Sequence, residues 1–349
     1  MNISLPPITD PVYNPDKKLN AMDRFFVRFI RDERDLPFVF LMLQLLFIFI
    51  PMAIYQFIPG NFTWWLVLVS AILQLAFYAG PFNLMLHNTS HRKFFKQEYD
   101  WANQIIPWVI GPFLGQSPET YFGHHIGMHH AENNMEDDLS STLHYQRDSF
   151  LDFMKYFTLF LFSGFVTLVE YHRRRNKKRY LKMVLRGELT FMIVCTILLF
   201  INWRAALVVF VLPFIINRFL MMAGNWGQHA FIDLSDPENN YKNSLTCINA
   251  RYNKICFNDG YHIGHHLKPN MHWTDMPVEF QQNIEKYVAN RAVIFEGIDF
   301  FFVWFLLMTK SYKTLASHFV DAGHQFKNQD EIIAFIQSRL QKAELAVAV

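Results

Sequence analysis

Polar residues divide this chain into a series of apolar runs at 37–58, 62–86, 150–169, 188–202 and 205–223, with shorter ones at 105–115 and 293–308. A helix needs about 20 apolar residues to cross the hydrocarbon layer of a bilayer. The first two runs meet that length and are joined by the turn sequence Pro59-Gly60-Asn61, so they predict a helical hairpin. Segments 189–201 and 205–222 flank a short break at Asn202-Trp203-Arg204 and predict a second one. In the C-terminal stretch 328–345, Ile332, Ile333, Ile336 and Leu340 recur at helical spacing, which predicts a helix packed against the part of the chain outside the membrane.

Histidine changes this picture. Nine of the 15 histidines fall into short clusters just outside the apolar runs: His87 and His91; His125, His129 and His130; His229, four after Asn225; and His262, His265 and His266. Spacings of three and four put imidazoles on one helix face, within reach of a common ion. His87 and His91 continue from the second run, and Asn225 and His229 continue from 205–223 in the same way. Two antiparallel hairpins would thus deliver ligands side by side at one membrane face.

The position of the clusters bears on run 150–169. One metal centre requires all of them on one face, so an even number of crossings must separate the second cluster from the third. A span at 150–169 breaks that rule. It would also put the basic block 172–179 opposite the basic N-terminal region, against the positive-inside bias. Asp152 and Lys155 near its start fit a helix lying in the interface. Run 105–115, with Pro107 and Pro112, reads as re-entrant or interfacial. The expectation is an all-α integral membrane protein with four crossings in two hairpins. A cytosolic helical cap holds a di-metal centre, and both termini and every cluster face the cytoplasm. The parts are a cytosolic segment 1–36, a membrane catalytic domain 37–275 and cytosolic or interfacial helices over 276–349.

Composition agrees: 52% of the 349 residues are hydrophobic, and 37 Phe exceed ordinary usage. A net charge of +2 is too small to point to nucleic acid. The block His172-Arg173-Arg174-Arg175-Asn176-Lys177-Lys178-Arg179 reads most simply as a solvated loop; contact with anionic lipid or an acidic electron donor is the functional alternative. Cys195, Cys247 and Cys256 form no CxxC pair, so no disulfide framework is expected. No signal peptide is expected, because Asp10, Asp16, Lys17 and Lys18 precede the first apolar segment. Ionisable groups are nearly absent from the spans; Arg204 sits at a turn and Arg218 near a cytoplasmic end, which weighs against a transport path.

Neutral imidazoles with few carboxylates suit zinc, iron or copper. Four ligands satisfy a structural zinc, whereas nine fit two ions holding four or five imidazoles each; two zincs would satisfy the same count, so the metal is argued from context. Beside an apolar membrane cavity, a useful reaction for two metals is O2 activation against an unreactive C–H bond, which calls for redox-active iron.

At these residues the chain resembles the membrane fatty-acid desaturase/hydroxylase superfamily, defined by three histidine boxes. His87-x3-His91 matches the first and His262-x2-His265-His266 the third. His125-x3-His129-His130 resembles the second, although the commonest form has two intervening residues. Asn225-x3-His229 is similar to a further element in which the His is a ligand and the Asn holds a metal-bound water. The resemblance covers about residues 37–275. It implies a non-haem di-iron centre with two Fe per chain, O2 as co-substrate and a ferredoxin- or cytochrome b5-type electron donor. The implied substrate is a fatty acyl chain, as free acid, CoA, carrier-protein or lipid derivative. The implied setting is a bacterial inner membrane or the endoplasmic reticulum. His124 adds a histidine to the second box and leaves His124 or His125 as the ligand there, spacing to His129 favouring His125. His262 stands where front-end desaturases usually carry Gln, which argues against that subclass. No HPGG haem motif occurs, so electrons are expected from a separate protein.

Desaturation is the expected outcome; hydroxylation, carotenoid ketolation or oxidative decarboxylation to a terminal alkene are alternatives that substrate placement decides. From another class, a metal transporter or sensor with His-rich loops competes, but such proteins rarely hold helical boxes at span ends while leaving the spans free of ligands. His144, His172, His272, His318 and His324 stand alone and read as surface or structural. Asp259, Glu132, Asp137 or Asp138 would orient a ligating imidazole through its second nitrogen, with capping an equal reading of Asp259. The Phe-rich run 300–304 reads more simply as interfacial anchoring than as the lining of an acyl tunnel.

Overall fold

The computed structural model describes residues 3–343. Among them, four helical stretches are long and apolar enough to cross a membrane: Glu33–Tyr55, Trp64–His91, Phe150–Arg174 and Lys178–Gln228. The last is not a single rod. At Asn202 the backbone leaves the helical region (φ −153°, ψ 90°). The Asn202 side chain takes over the interrupted bonding, its Oδ1 accepting from the Ala205 N–H at 3.2 Å. Phe191 and Phe214 then stack with ring centroids 5.2 Å apart. Along a straight helix those 23 residues would span about 34 Å, so the chain doubles back at Asn202.

Phe150–Arg174 is one continuous helix of 25 residues. Its length and composition put it with the candidate spans, so the expectation that 150–169 lies in the interface rests on the parity of crossings and not on its size. Run 105–115 is instead broken into short turns, Ile106–Ile110 and Gly111–Leu114, ended by Gly115. Gly115 has φ +82°, and a Cβ there would come within 2.2 Å of the Pro213 carbonyl oxygen, so only glycine fits.

The chain divides into two compact units. One comprises Tyr13–Gly127 and Phe165–Phe219. Its apolar core includes Ala53, Phe191, Cys195, Val209 and Phe210. A polar cluster runs through it: Asn83 donates to Asn217 Oδ1 at 2.6 Å, and Gln116 donates to Asn83 Oδ1 at 3.0 Å. Glu188, at the head of run 188–202, forms a buried ion pair with Arg218 at 3.0 Å and accepts from Ser117 and Thr120.

The other unit comprises the N-terminal segment up to Val12, Met128–Gly164 and the chain from Leu220 onward. It contains two short parallel strands, β1 (Leu245–Ile248) and β2 (Val293–Glu296), paired Leu245 to Val293 through Ile248 to Glu296. The all-α expectation is therefore corrected at these eight residues. Both strands are β-branched or aromatic-rich and buried, a four-residue pattern that periodicity cannot tell from buried helix. Alternate residues enter different cores: Leu245, Cys247, Val293 and Phe295 one, Ile248 and Ile294 the other. The apolar run 293–308 thus splits into β2, a turn at Gly297 (φ +77°) and the helix Phe300–Met308. In that helix Phe300, Val303 and Trp304 are buried and Phe301 and Phe302 exposed, so core packing accounts for three of the five residues of a run read as anchoring. The helix Gln329–Ser338 follows, with Ile336 and Leu340 in the first core; residues 344 and 345 of the expected C-terminal helix lie outside the described residues.

Candidate metal centre

In the first unit the helix Ala79–His91 carries His87 and His91 on one face, their rings 5.3 Å apart. His125 joins them: its ring lies 4.5 Å from that of His87, and its Nε2 lies 3.0 Å from His91 Nε2. His124, the alternative in this box, belongs to neither metal-type group.

In the second unit His129, His229, His262 and His266 are all buried, with one ring nitrogen of each within 4.8 Å of the others. His229 Nε2 and His262 Nε2 are 3.2 Å apart, and His262 Nε2 and His266 Nε2 are 3.0 Å apart. His130 and His265 face one another, Nε2 to Nε2 at 2.9 Å.

The structure corrects one part of the spacing argument. His125 and His129 were expected to share a helix face and an ion, yet His125 meets His87 and His91 whereas His129 meets His229. Residues His125–His129 form a π turn instead of an α turn. In the third box His262 and His266 do share a group, while His265 turns to His130.

His129 Nδ1 donates to Asp138 Oδ2 at 2.7 Å, so Asp138 is the acid after this box that orients the His129 ring. Asp138 is itself fixed by the N–H of Asn134 at 3.0 Å and by the N–H and hydroxyl of Ser140 at 2.8 and 2.7 Å. His229 Nδ1 donates to the Asn243 carbonyl at 3.0 Å. A carbonyl only accepts, so His229 carries a hydrogen on Nδ1, and His129 beside a carboxylate does the same. Burial and neighbouring imidazoles hold His229 down to about 4, and push His266 down as well. Near neutral pH these imidazoles are neutral donors.

Ring nitrogens converging in a buried place suit a cation held among them. Ligand nitrogens about 2.0–2.1 Å from an ion stand about 2.8–3.4 Å apart for right to tetrahedral angles, and the observed 3.0 and 3.2 Å fall in that range. With imidazole donors and one carboxylate behind them, the four-histidine group fits a borderline transition metal such as iron.

Asn225 shares its helical stretch with His229, but its amide nitrogen donates to the Ser140 carbonyl at 2.9 Å and to Tyr156 Oη at 2.8 Å. Its Oδ1 is the group left for a water. Asp259 accepts from Gln228 and Tyr252, and does not cap the helix His262–Leu267, whose N-cap is Tyr261. His272 is buried and accepts from the Thr274 N–H at 3.1 Å. His172, read as surface or structural, is fully buried and donates to the Gly123 carbonyl at 3.1 Å. His318 bonds the Glu296 carbonyl. Arg147 went unremarked in the sequence, yet it is buried and donates to the Ala230 carbonyl, next to His229, at 2.8 Å. Burial lowers its guanidinium to about 9.

A family model described as fatty acid desaturase matches residues 62–297. Comparison with curated proteins and with solved structures returns no match.

Proposed function

Because the chain belongs to the fatty acid desaturase family, we propose that it desaturates a fatty acyl chain at a centre of two irons, using O2 and electrons from a separate ferredoxin- or cytochrome b5-type protein. Family membership supports fatty acyl oxidation in general. The observation that carries the metal reading is the buried set His129, His229, His262 and His266, with Nδ1 of His129 and His229 tied outward and ring nitrogens of all four gathered inward. We assign the first iron to this set. His87, His91 and His125 supply a second group of donors, and His130 and His265 complete the nine ligands expected from the boxes.

Iron held there supplies O2-dependent removal of hydrogen from an unactivated C–H bond. The protein's own part is to hold geometry and exclude water. Asp138 and the Asn243 carbonyl fix the ring planes and tautomers of His129 and His229. Phe300, its ring 5.8 Å from the His262 ring, puts apolar surface against the same group. Asn225 Oδ1, its amide nitrogen held by Ser140 and Tyr156, would accept from a water held by the metal.

For the membrane, we propose crossings at 37–58, 62–86, 189–201 and 205–222, with 150–169 in the interface and the boxes facing the cytoplasm. Cysteine labelling at positions 61 and 175 should report opposite sides; labelling from the same side would overturn this arrangement.

The activity test is expression in a host that lacks unsaturated acyl chains, followed by lipid mass spectrometry. A product two hydrogens lighter supports desaturation. A product one oxygen heavier, or a terminal alkene one carbon shorter, would replace desaturation by hydroxylation or decarboxylation. No altered lipid, with metal analysis finding loosely bound zinc, would overturn the oxidase reading.

A further inference from the structure

The second histidine box is an interrupted helix. A π turn, His125–His129, sits between the α turns Thr120–His124 and His130–Glu132. A π turn closes i→i+5 and disturbs the regular i→i+4 ladder, so backbone carbonyls beside it call for other donors. Two are met from one segment. The His172 Nε2–H donates to the Gly123 carbonyl at 3.1 Å, and Lys177 Nζ donates to the Gly127 carbonyl at 2.7 Å. Lys177 is held in turn by the Tyr171 hydroxyl at 2.9 Å, and the His172 ring stacks on Tyr180.

The two acceptors are glycines for a steric reason. A Cβ on Gly123 would come within 2.3 Å of Val184 Cγ2, and one on Gly127 within 2.9 Å of His172 Cε1 and Tyr180 Cγ. Two glycines four residues apart give the box a bare side, and that side receives segment 171–184. His125, the first residue of the π turn, meets His91 Nε2 at 3.0 Å. The basic block 172–179, read from sequence as a solvated loop, thus sends two of its members inward.

We propose that His172 and Lys177 are positioning residues. By donating to Gly123 and Gly127 they hold the π turn of the second box, and so keep the His125 imidazole in place with His87 and His91. This rests on the reading of those imidazoles as iron ligands, but the fold-level half of it does not.

The test compares His172→Phe/Lys177→Met, which keeps bulk and removes both donors, with His172→Gln/Lys177→Arg, which keeps a donor at each place. Single Lys177→Met serves if the double variant does not purify. Hydrogen–deuterium exchange of metal-free protein should show segment 120–130 exchanging at least about tenfold faster in the donor-free variant, since each lost bond counts among the stronger kind. Segment 262–267 should be unchanged, and the donor-keeping pair should restore protection. Iron per chain should fall to about half that of the unsubstituted protein, with kcat reduced more than KM. Unchanged exchange over 120–130, or equal acceleration in the donor-keeping pair, would overturn the proposal. Iron-free unsubstituted protein would instead overturn the metal reading, with the exchange result still deciding the role of the two residues.

Discussion

Asp138→Asn tests whether a carboxylate behind His129 sets the affinity of the four-histidine group. Asp138 Oδ2 accepts from His129 Nδ1 at 2.7 Å and from the Asn134 N–H at 3.0 Å; Oδ1 accepts from the Ser140 N–H and hydroxyl at 2.8 and 2.7 Å. Asparagine offers one oxygen for these two pairs. Turned so that the oxygen keeps His129, its NH2 meets the Ser140 N–H, donor to donor, and only the Ser140 hydroxyl can rotate to accept. One buried N–H left unmet costs about 1–3 kcal/mol of stability. The opposite orientation puts NH2 against His129 Nδ1 and forces the hydrogen to Nε2, which removes the metal-binding lone pair. The first orientation therefore prevails. Replacing the carboxylate behind a metal-bound imidazole by a neutral amide costs about 10–100-fold in metal affinity, or about 1.4–2.8 kcal/mol. The assay is chelator competition on the purified protein in detergent, reading retained iron, with the melting temperature of the metal-free form beside it. Release of iron at 10–100-fold lower chelator is expected, with a lowered melting temperature. A variant that melts lower yet resists chelator as the parent does would show that Asp138 merely packs the loop, refuting the argument.

Alanine at His129, His229, His262 or His266 should abolish turnover and lower bound iron, while alanine at His144 or His318 should leave both near the parent level; near-full activity in two of the four would show the ligand set to be wrong. Asn225→Ala should keep most of its iron and lose most of its activity, whereas His229→Ala loses both, so full turnover without the amide would return Asn225 to a packing role. Glu188→Ala strands Arg218 and should destabilise the protein by about 3–5 kcal/mol, read as a lowered melting temperature. Glu188→Leu/Arg218→Met should recover most of that loss, and no recovery would mean that Ser117 and Thr120, not the charge pair, carry the effect.

The sequence by itself determined the local features. Apolar runs of membrane length are set by composition alone, and Glu33–Tyr55 and Trp64–His91 coincide with the runs read at 37–58 and 62–86. Helical spacing also placed His87 with His91 and His262 with His266, because residues four apart on one helix stay together wherever that helix goes. Assignment of ligands between boxes is a different matter. His129 and His130 are neighbours in the chain, yet one meets His229 and the other His265. Only the approach of distant helices decides this. The orienting groups were legible in the same measure: Asp138 stood among three candidate acids, but the Asn243 carbonyl gave no signal, since every residue carries an identical one. His172 and Lys177 looked like part of a charged loop because sequence shows polarity and not what a side chain faces. Two glycines on the far helix, Gly123 and Gly127, opened the space that draws them in, and that pairing exists only once the chain is folded.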